Sequence, residues 1–106
     1  YNNVITALRN KFGSSFLITS AITADGSNGG KMDVADYASG IAKLNYVFPM
    51  TYDYFGAFSP QGPTAPHSPL TSYTGIPTAG FNSDAAIQKL KSKGVPSSKI
   101  LLGIGF

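Results

Sequence analysis

Asn45-Tyr-Val-Phe-Pro-Met-Thr-Tyr-Asp-Tyr-Phe-Gly-Ala-Phe58 decides how this chain is read. The stretch opens as an apolar, β-prone run and closes as an aromatic loop broken by Gly56, with one carboxylate, Asp53, at the junction. Aromatic and β-branched residues suit the pleated, half-buried surface of a strand, whereas Asp and Gly suit turns. The expected element is a strand over Leu44–Tyr52 that delivers Tyr52 and Asp53 at its carboxyl end. In α/β proteins, binding sites lie outside the carboxyl ends of parallel strands. Pro49 is awkward inside a strand, because it offers no ladder N–H and is confined to edges and bulges. It marks a distortion just ahead of the site residues.

On the amino-terminal side, Val4, Ile5, Leu8 and Phe12 form the stripe of an amphipathic helix over Tyr1–Phe12, with Gly13 as its stop. Phe16–Ile22 is apolar almost throughout and suits a strand buried on both faces. Ala24–Gly30, rich in Asp, Asn, Ser and Gly, is a loop. It lacks the Gly-x-Gly-x-x-Gly order of a phosphate cradle. Asp33 offers an N-cap for a short helix through Val34, Tyr37, Ala38 and Ile41. On the carboxyl side, Ser59–Phe81 holds five prolines and little periodicity, a long loop of the kind that is functional or disordered. Asn82 or Ser83 caps a last helix ending at Gly94, and Lys99–Phe106 reads as a third buried strand. The order is αβαβαβ, and helical crossovers imply parallel strands joined in right-handed units.

Composition narrows the function classes. Eight Lys and Arg against five Asp and Glu give a net charge of +3, spread too thinly for a nucleic-acid surface. No apolar run approaches the roughly 20 residues that span a bilayer. Cysteine is absent, so neither a disulfide framework nor a thiolate metal site is available. His67 is the lone histidine, and with no second His, no Cys and no carboxylate beside it in sequence, it is read as neither a metal ligand nor a triad member. No metal or cofactor is expected. The first residue is not Met and the last strand has no stop signal, so the chain is expected to be a piece of a longer one. Three parallel strands leave two open edges, which call for missing strands or a second copy.

Met50-x-Tyr52-Asp53 followed by Phe55-Gly56-Ala57-Phe58 resembles the sixth-strand motif of glycoside hydrolase family 18 chitinases, in its bacterial form. The likeness extends along the whole chain. Phe16–Ile22 is similar to the fifth strand, Ser68-Pro69-Leu70 to a segment of the following loop, and Lys99–Phe106 to the seventh strand. The family's Asp-x-x-Asp-x-Asp-x-Glu, which ends in the catalytic acid on the fourth strand, is absent and would lie before Tyr1. The resemblance therefore implies a single partial segment, residues 1–106, of a (β/α)8 barrel and not a complete one. It implies a secreted parent that acts on chitin or chito-oligosaccharides, and an isolated piece without activity.

The family's mechanism is substrate-assisted: the sugar's own N-acetyl carbonyl attacks the anomeric carbon while the glutamic acid protonates the leaving oxygen. Carried over by motif, Tyr52 would donate its phenol O–H to the acetamide oxygen. Asp53 would help to hold the distorted sugar and tune the acid. Met50 would floor the pocket and Phe58 would stack on a sugar ring on the leaving-group side. Plainer roles exist for each: an interfacial tyrosine, an aspartate capping the next turn, a core methionine, a phenylalanine anchoring its loop. The alternative function is a chitinase-like lectin that binds the same sugars without hydrolysis, since these residues serve binding as well as catalysis.

Overall fold

The computed structural model describes residues 1–106. Helix α1 (Asn2–Phe12) leads to strand β1 (Thr19–Ile22), then to two short helices, α2 (Lys31–Val34) and α3 (Tyr37–Ile41). Strand β2 (Tyr46–Pro49), a long loop, helix α4 (Ser83–Ser92) and a 3₁₀ turn at Ser97–Lys99 complete the order. β1 and β2 pair in parallel, with Thr19 opposite Tyr46 and Ile22 opposite Pro49. The chain between them crosses over through helices, as a parallel connection requires.

Several boundaries differ from those expected. The helix anticipated from Val34 to Ile41 is broken at Ala35 and Asp36, and Asp36 rather than Asp33 caps its second half by accepting from the Ser39 N–H at 3.2 Å. Asp33 lies inside α2, where its carboxylate accepts from the Gly29 N–H at 2.8 Å and faces the ammonium groups of Lys89 on α4 and of Lys93 at that helix's carboxyl cap. Both strands are shorter than their apolar runs. The third strand expected at Lys99–Phe106 does not form: one parallel bridge joins Val47 to Ile100, and the Leu101 N–H reaches the Val47 carbonyl at 3.0 Å, after which the ladder stops.

Pro49 supplies the physical reason. Residues two apart along a strand present their backbone groups to the same side, so Pro49 follows Val47 onto the edge that faces the last segment. There it has no N–H to offer. A side chain takes over, with the Thr51 hydroxyl donating to the Gly103 carbonyl at 2.6 Å. Gly103 is needed for that approach, because a Cβ at this position would stand 2.6 Å from the Pro49 oxygen.

The helices cover one face of the sheet. Ile5 of α1, Ile22 of β1, Met32 of α2, Ile41 of α3, Val47 of β2 and Leu90 of α4 form the centre of a continuous buried core. Two basic residues tie strands to helices through backbone oxygens. Arg9 donates to the carbonyls of Gly13, Phe16 and Lys43 and to the Asn45 side chain, whose oxygen also accepts the Ile18 N–H. Lys99 closes the carboxyl end of α3 by donating to the carbonyls of Ile41, Ala42 and Leu44, where a cation meets the negative end of the helix dipole.

The other face is bare, contrary to the expectation of strands buried on both sides. Tyr46, Phe48 and Met50 alternate along it with buried neighbours, and Leu101, Leu102 and Ile104 extend it. Each Å² of such surface removed from water is worth about 25 cal/mol, so covering this face would be favourable. The purified 106-residue chain should sediment as dimers or larger species and brighten a dye for exposed apolar surface. A monodisperse, dye-silent monomer that melts cooperatively would contradict this.

Candidate functional site

The site begins where β2 ends. Beyond Pro49 the chain no longer follows β1 except through the Met50 N–H, which reaches the Ile22 carbonyl at 2.9 Å. Thr51 and Tyr52 then turn their N–H groups back onto the carbonyls of Pro49 and Met50, each at 2.9 Å, in two successive three-residue turns. Asp53 follows with φ of 56°, the only non-glycine residue in the left-handed region. Such a conformation costs of order 1 kcal/mol, is least unfavourable for Asp and Asn, and recurs at functional sites. The chain returns inward at Tyr54, whose hydroxyl lies 2.9 Å from the Ala24 carbonyl and 3.1 Å from that of Asn82. Burial pushes the Tyr54 phenol well above its ordinary pKa, with the Asp25 charge adding to the shift. It therefore stays a neutral donor.

These turns open a cavity of about 410 Å³ at the carboxyl ends of β1 and β2. All four residues singled out by sequence, Met50, Tyr52, Asp53 and Phe58, line it. Phe58 is 68% exposed, so it is no core anchor. Its ring folds back over Gly56, where a Cβ would come within 2.8 Å of the ring. Phe55 behaves in the opposite way: it is buried and packs on Phe81 at 5.8 Å between ring centroids.

The remaining wall was not legible. Thr23, Ala24, Asp25, Lys31, Tyr54 and Phe81 complete the lining. The composition of Ala24–Gly30 marks Asp25 only as a loop residue, yet it stands just past the carboxyl end of β1, the position from which a parallel strand delivers functional side chains. Its carboxylate accepts from the Ser27 hydroxyl, from the Ser27 N–H at 3.1 Å and from the Lys31 N–H at 3.3 Å. Burial works against its charge, but those bonds and the Lys31 charge outweigh it and hold the carboxyl below the usual aspartate range. The loop is closed from behind by Gly80, where a Cβ would lie 2.5 Å from the Ser27 nitrogen. His67 is a second surprise. Absent from the cavity lining, it lies across the Asp53 turn, with Nδ1 3.5 Å from Asp53 Oδ1 and 3.4 Å from the Asp53 nitrogen. Nowhere do three or more carboxylate or imidazole groups converge as a metal site would need, and no helix is long and apolar enough to cross a membrane.

The family model for glycosyl hydrolases family 18 matches residues 1–106. The chain belongs to that family. Chitinase C of Streptomyces lividans is 55% identical over all 106 residues, which make up 17% of that protein. Chitinase A1 of Niallia circulans is 32% identical over 98 residues, 89% of this chain and 14% of the relative. Among solved structures, the Group IV chitinase of Ostrinia furnacalis in complex with allosamidin superimposes with a TM-score of 0.80 at 27% identity, over 97% of this chain and 28% of that one. The chitinase domain of the spore coat protein CotE from Clostridium difficile gives 0.72 at 27% identity, over 99% and 30%. The two parallel strands and their helices thus have the arrangement found in family 18 domains, and the bacterial likeness of the Met50–Phe58 motif holds across the chain. The chain spans about a sixth of the length of the curated relatives it matches.

The Asp25 network carries a pH dependence. A carboxyl whose folded pKa is depressed contributes stability that is complete above the ordinary aspartate pKa and is lost as pH falls through the folded value. In the full-length protein, melting temperature should therefore fall on acidification below about pH 4, and Asp25→Asn should flatten that limb while lowering stability at neutral pH. An acid limb of unchanged slope in Asp25→Asn would assign the effect elsewhere.

Proposed function

We propose that the chain is one segment, residues 1–106, of the catalytic (β/α)8 barrel of a secreted chitinase, supplying its fifth and sixth strands, the long loop 59–81 and, in Lys99–Phe106, the stretch that would complete its seventh strand in the whole barrel. The observation that carries this is the meeting of Met50, Tyr52, Asp53 and Phe58 around one cavity at the carboxyl end of β2, in a family 18 chain. The substrates would be chitin and its oligosaccharides, cleaved at β-1,4-linked N-acetylglucosamine with retention of configuration. The rest of the barrel, or a second copy of the chain, would cover the bare sheet face. The segment alone would be inactive, because it contains no glutamate to protonate the leaving oxygen.

Each residue then has a task that suits its position. The Tyr52 phenol would hold the acetamide oxygen, so that the carbonyl attacks the anomeric carbon in line as the glycosidic C–O bond breaks. Asp53, with its carboxylate largely exposed at the cavity rim, would help to hold the distorted sugar and to tune the acid. Met50 offers a soft apolar floor. The exposed face of Phe58 offers flat apolar area to the C–H groups of a pyranose on the leaving-group side. These contacts serve a sugar-binding lectin as well, and the presence of an acid upstream of Tyr1 in the full-length protein discriminates the two.

Kinetics of the full-length enzyme test the assignment. Tyr52→Phe should lower kcat by roughly 10²–10³ and change KM little, because the lost hydrogen bond, worth about 2–4 kcal/mol, matters most in the transition state. An unaltered kcat would remove Tyr52 from the mechanism. Phe58→Ala should weaken binding of long oligosaccharides and spare short ones that do not reach the leaving-group side. Equal losses on both would make Phe58 a structural residue.

A further inference from the structure

The turn that carries Tyr52 and Asp53 has almost no support from the sheet. Past Pro49 it makes one ladder bond, from the Met50 N–H, and its next two N–H groups fold back on their own neighbours. A left-handed aspartate at the rim of a cavity does not stay in place unaided. What restrains it comes from the long loop. The Ser68 hydroxyl donates to the Thr51 carbonyl at 2.6 Å, the His67 carbonyl accepts the Tyr54 N–H at 2.9 Å, and His67 Nδ1 accepts the Asp53 N–H at 3.4 Å. Two consecutive loop residues thus tie three backbone groups of a four-residue turn. Neither residue lines the cavity.

The last segment makes this possible. A Cβ at Gly105 would come within 2.5 Å of His67 Cε1, 2.9 Å of Tyr52 Cβ and 3.1 Å of Ser68 Cβ. Only a bare backbone there lets the loop and the turn lie over the same strip of chain. Thr51 is fixed from that side too, through its hydroxyl bond to the Gly103 carbonyl.

We propose that His67 and Ser68 are positioning residues, a clamp from the long loop that fixes the backbone of Thr51–Tyr54 so that Tyr52 and Asp53 face the sugar correctly. The inference rests on reading the cavity as the sugar site. Neither clamp residue touches substrate. Each acts through the backbone it holds, so its loss shows as misalignment in the reacting complex rather than as lost binding.

The test uses the full-length enzyme with p-nitrophenyl chitobioside. Ser68→Ala and His67→Ala should each lower kcat by about ten- to a hundredfold, the scale of misplacing a reacting group by an ångström, with KM changed less than about twofold and melting temperature nearly unaltered. Ser68→Thr keeps the hydroxyl, and His67→Asn keeps an acceptor at the distance of Nδ1 from Cα; both should recover most of the loss. The Asp53 amide should exchange with solvent faster in the alanine variants and regain protection in the conservative ones. Should an alanine variant not fold, His67→Gln, with its acceptor one methylene further out, takes its place against His67→Asn and should be the slower enzyme. Unchanged kcat, a loss confined to KM, or losses that Thr and Asn fail to restore would overturn the clamp. Tyr52→Phe run alongside separates the two levels. If it is silent, the cavity is not the site and both readings fall; if it is impaired while the clamp variants match wild type, only the clamp falls.

Discussion

One missing hydrogen atom governs the layout of this chain. Pro49 ends β2 on the edge that faces the Lys99–Phe106 segment, and there it has no N–H to donate. The ladder to that segment is cut to the single Val47–Ile100 bridge, and the backbone is released from strand geometry just where its side chains are needed at the sheet's carboxyl end. A regular strand would carry Thr51 to Asp53 straight on, with alternate side chains turned toward the helices. The two tight turns after Pro49 instead place Met50, Tyr52 and Asp53 together on one cavity. Glycines at 103 and 105 follow from the same constraint, since the last segment must pass within contact of the Pro49 oxygen and of Tyr52.

The energetic weight of the segment is unevenly placed. On the helix side a continuous core runs from Ile5 to Val95, and Arg9 and Lys99 spend their donors on strand and helix carbonyls rather than on carboxylates. Hydrogen bonds of this charge-assisted kind to otherwise unpaired carbonyls outlast surface ion pairs, which salt screens. On the opposite side Tyr46, Phe48 and the last segment remain wet. The cavity sits at the boundary between these two regimes. One wall, built by Tyr54, Phe81 and the Asp25 loop, is anchored in the core; the other belongs to the uncovered side.

How far the site could be read follows from what each residue depends on. Tyr52 and Asp53 are legible because a strand run and its terminating turn are local, and both residues lie within four positions of the proline that ends the strand. Phe58 and Phe55 carry the same ring three residues apart, yet one is exposed over Gly56 and the other is buried on Phe81. The difference depends on where a segment 26 residues beyond Phe55 returns. His67 looked inert because no carboxylate adjoins it in sequence; Asp53 reaches it only because the intervening loop doubles back over 14 residues.

Sequence by itself determined the first and last helices, α1 and α4, the two strands that pair, their parallel sense and the aromatic turn, since apolar periodicity, capping residues and a proline act within a few residues of themselves. It also carried the family, because the Met50–Phe58 spacing is local. Tertiary structure alone decided that the apolar run after Lys99 stays unladdered, that Asp36 rather than Asp33 caps α3, that Asp25 and Lys31 face the same cavity as Tyr52, and that His67 and Ser68 lie across its rim. Except for the Asp36 cap, which is local but competes with the Asp33 contacts to Lys89 and Lys93, each depends on hydrogen-bond partners, or on the room left by glycines, from segments far along the chain. Hydrophobic pattern and turn propensity specify which face a residue presents; they do not specify what will be there to meet it.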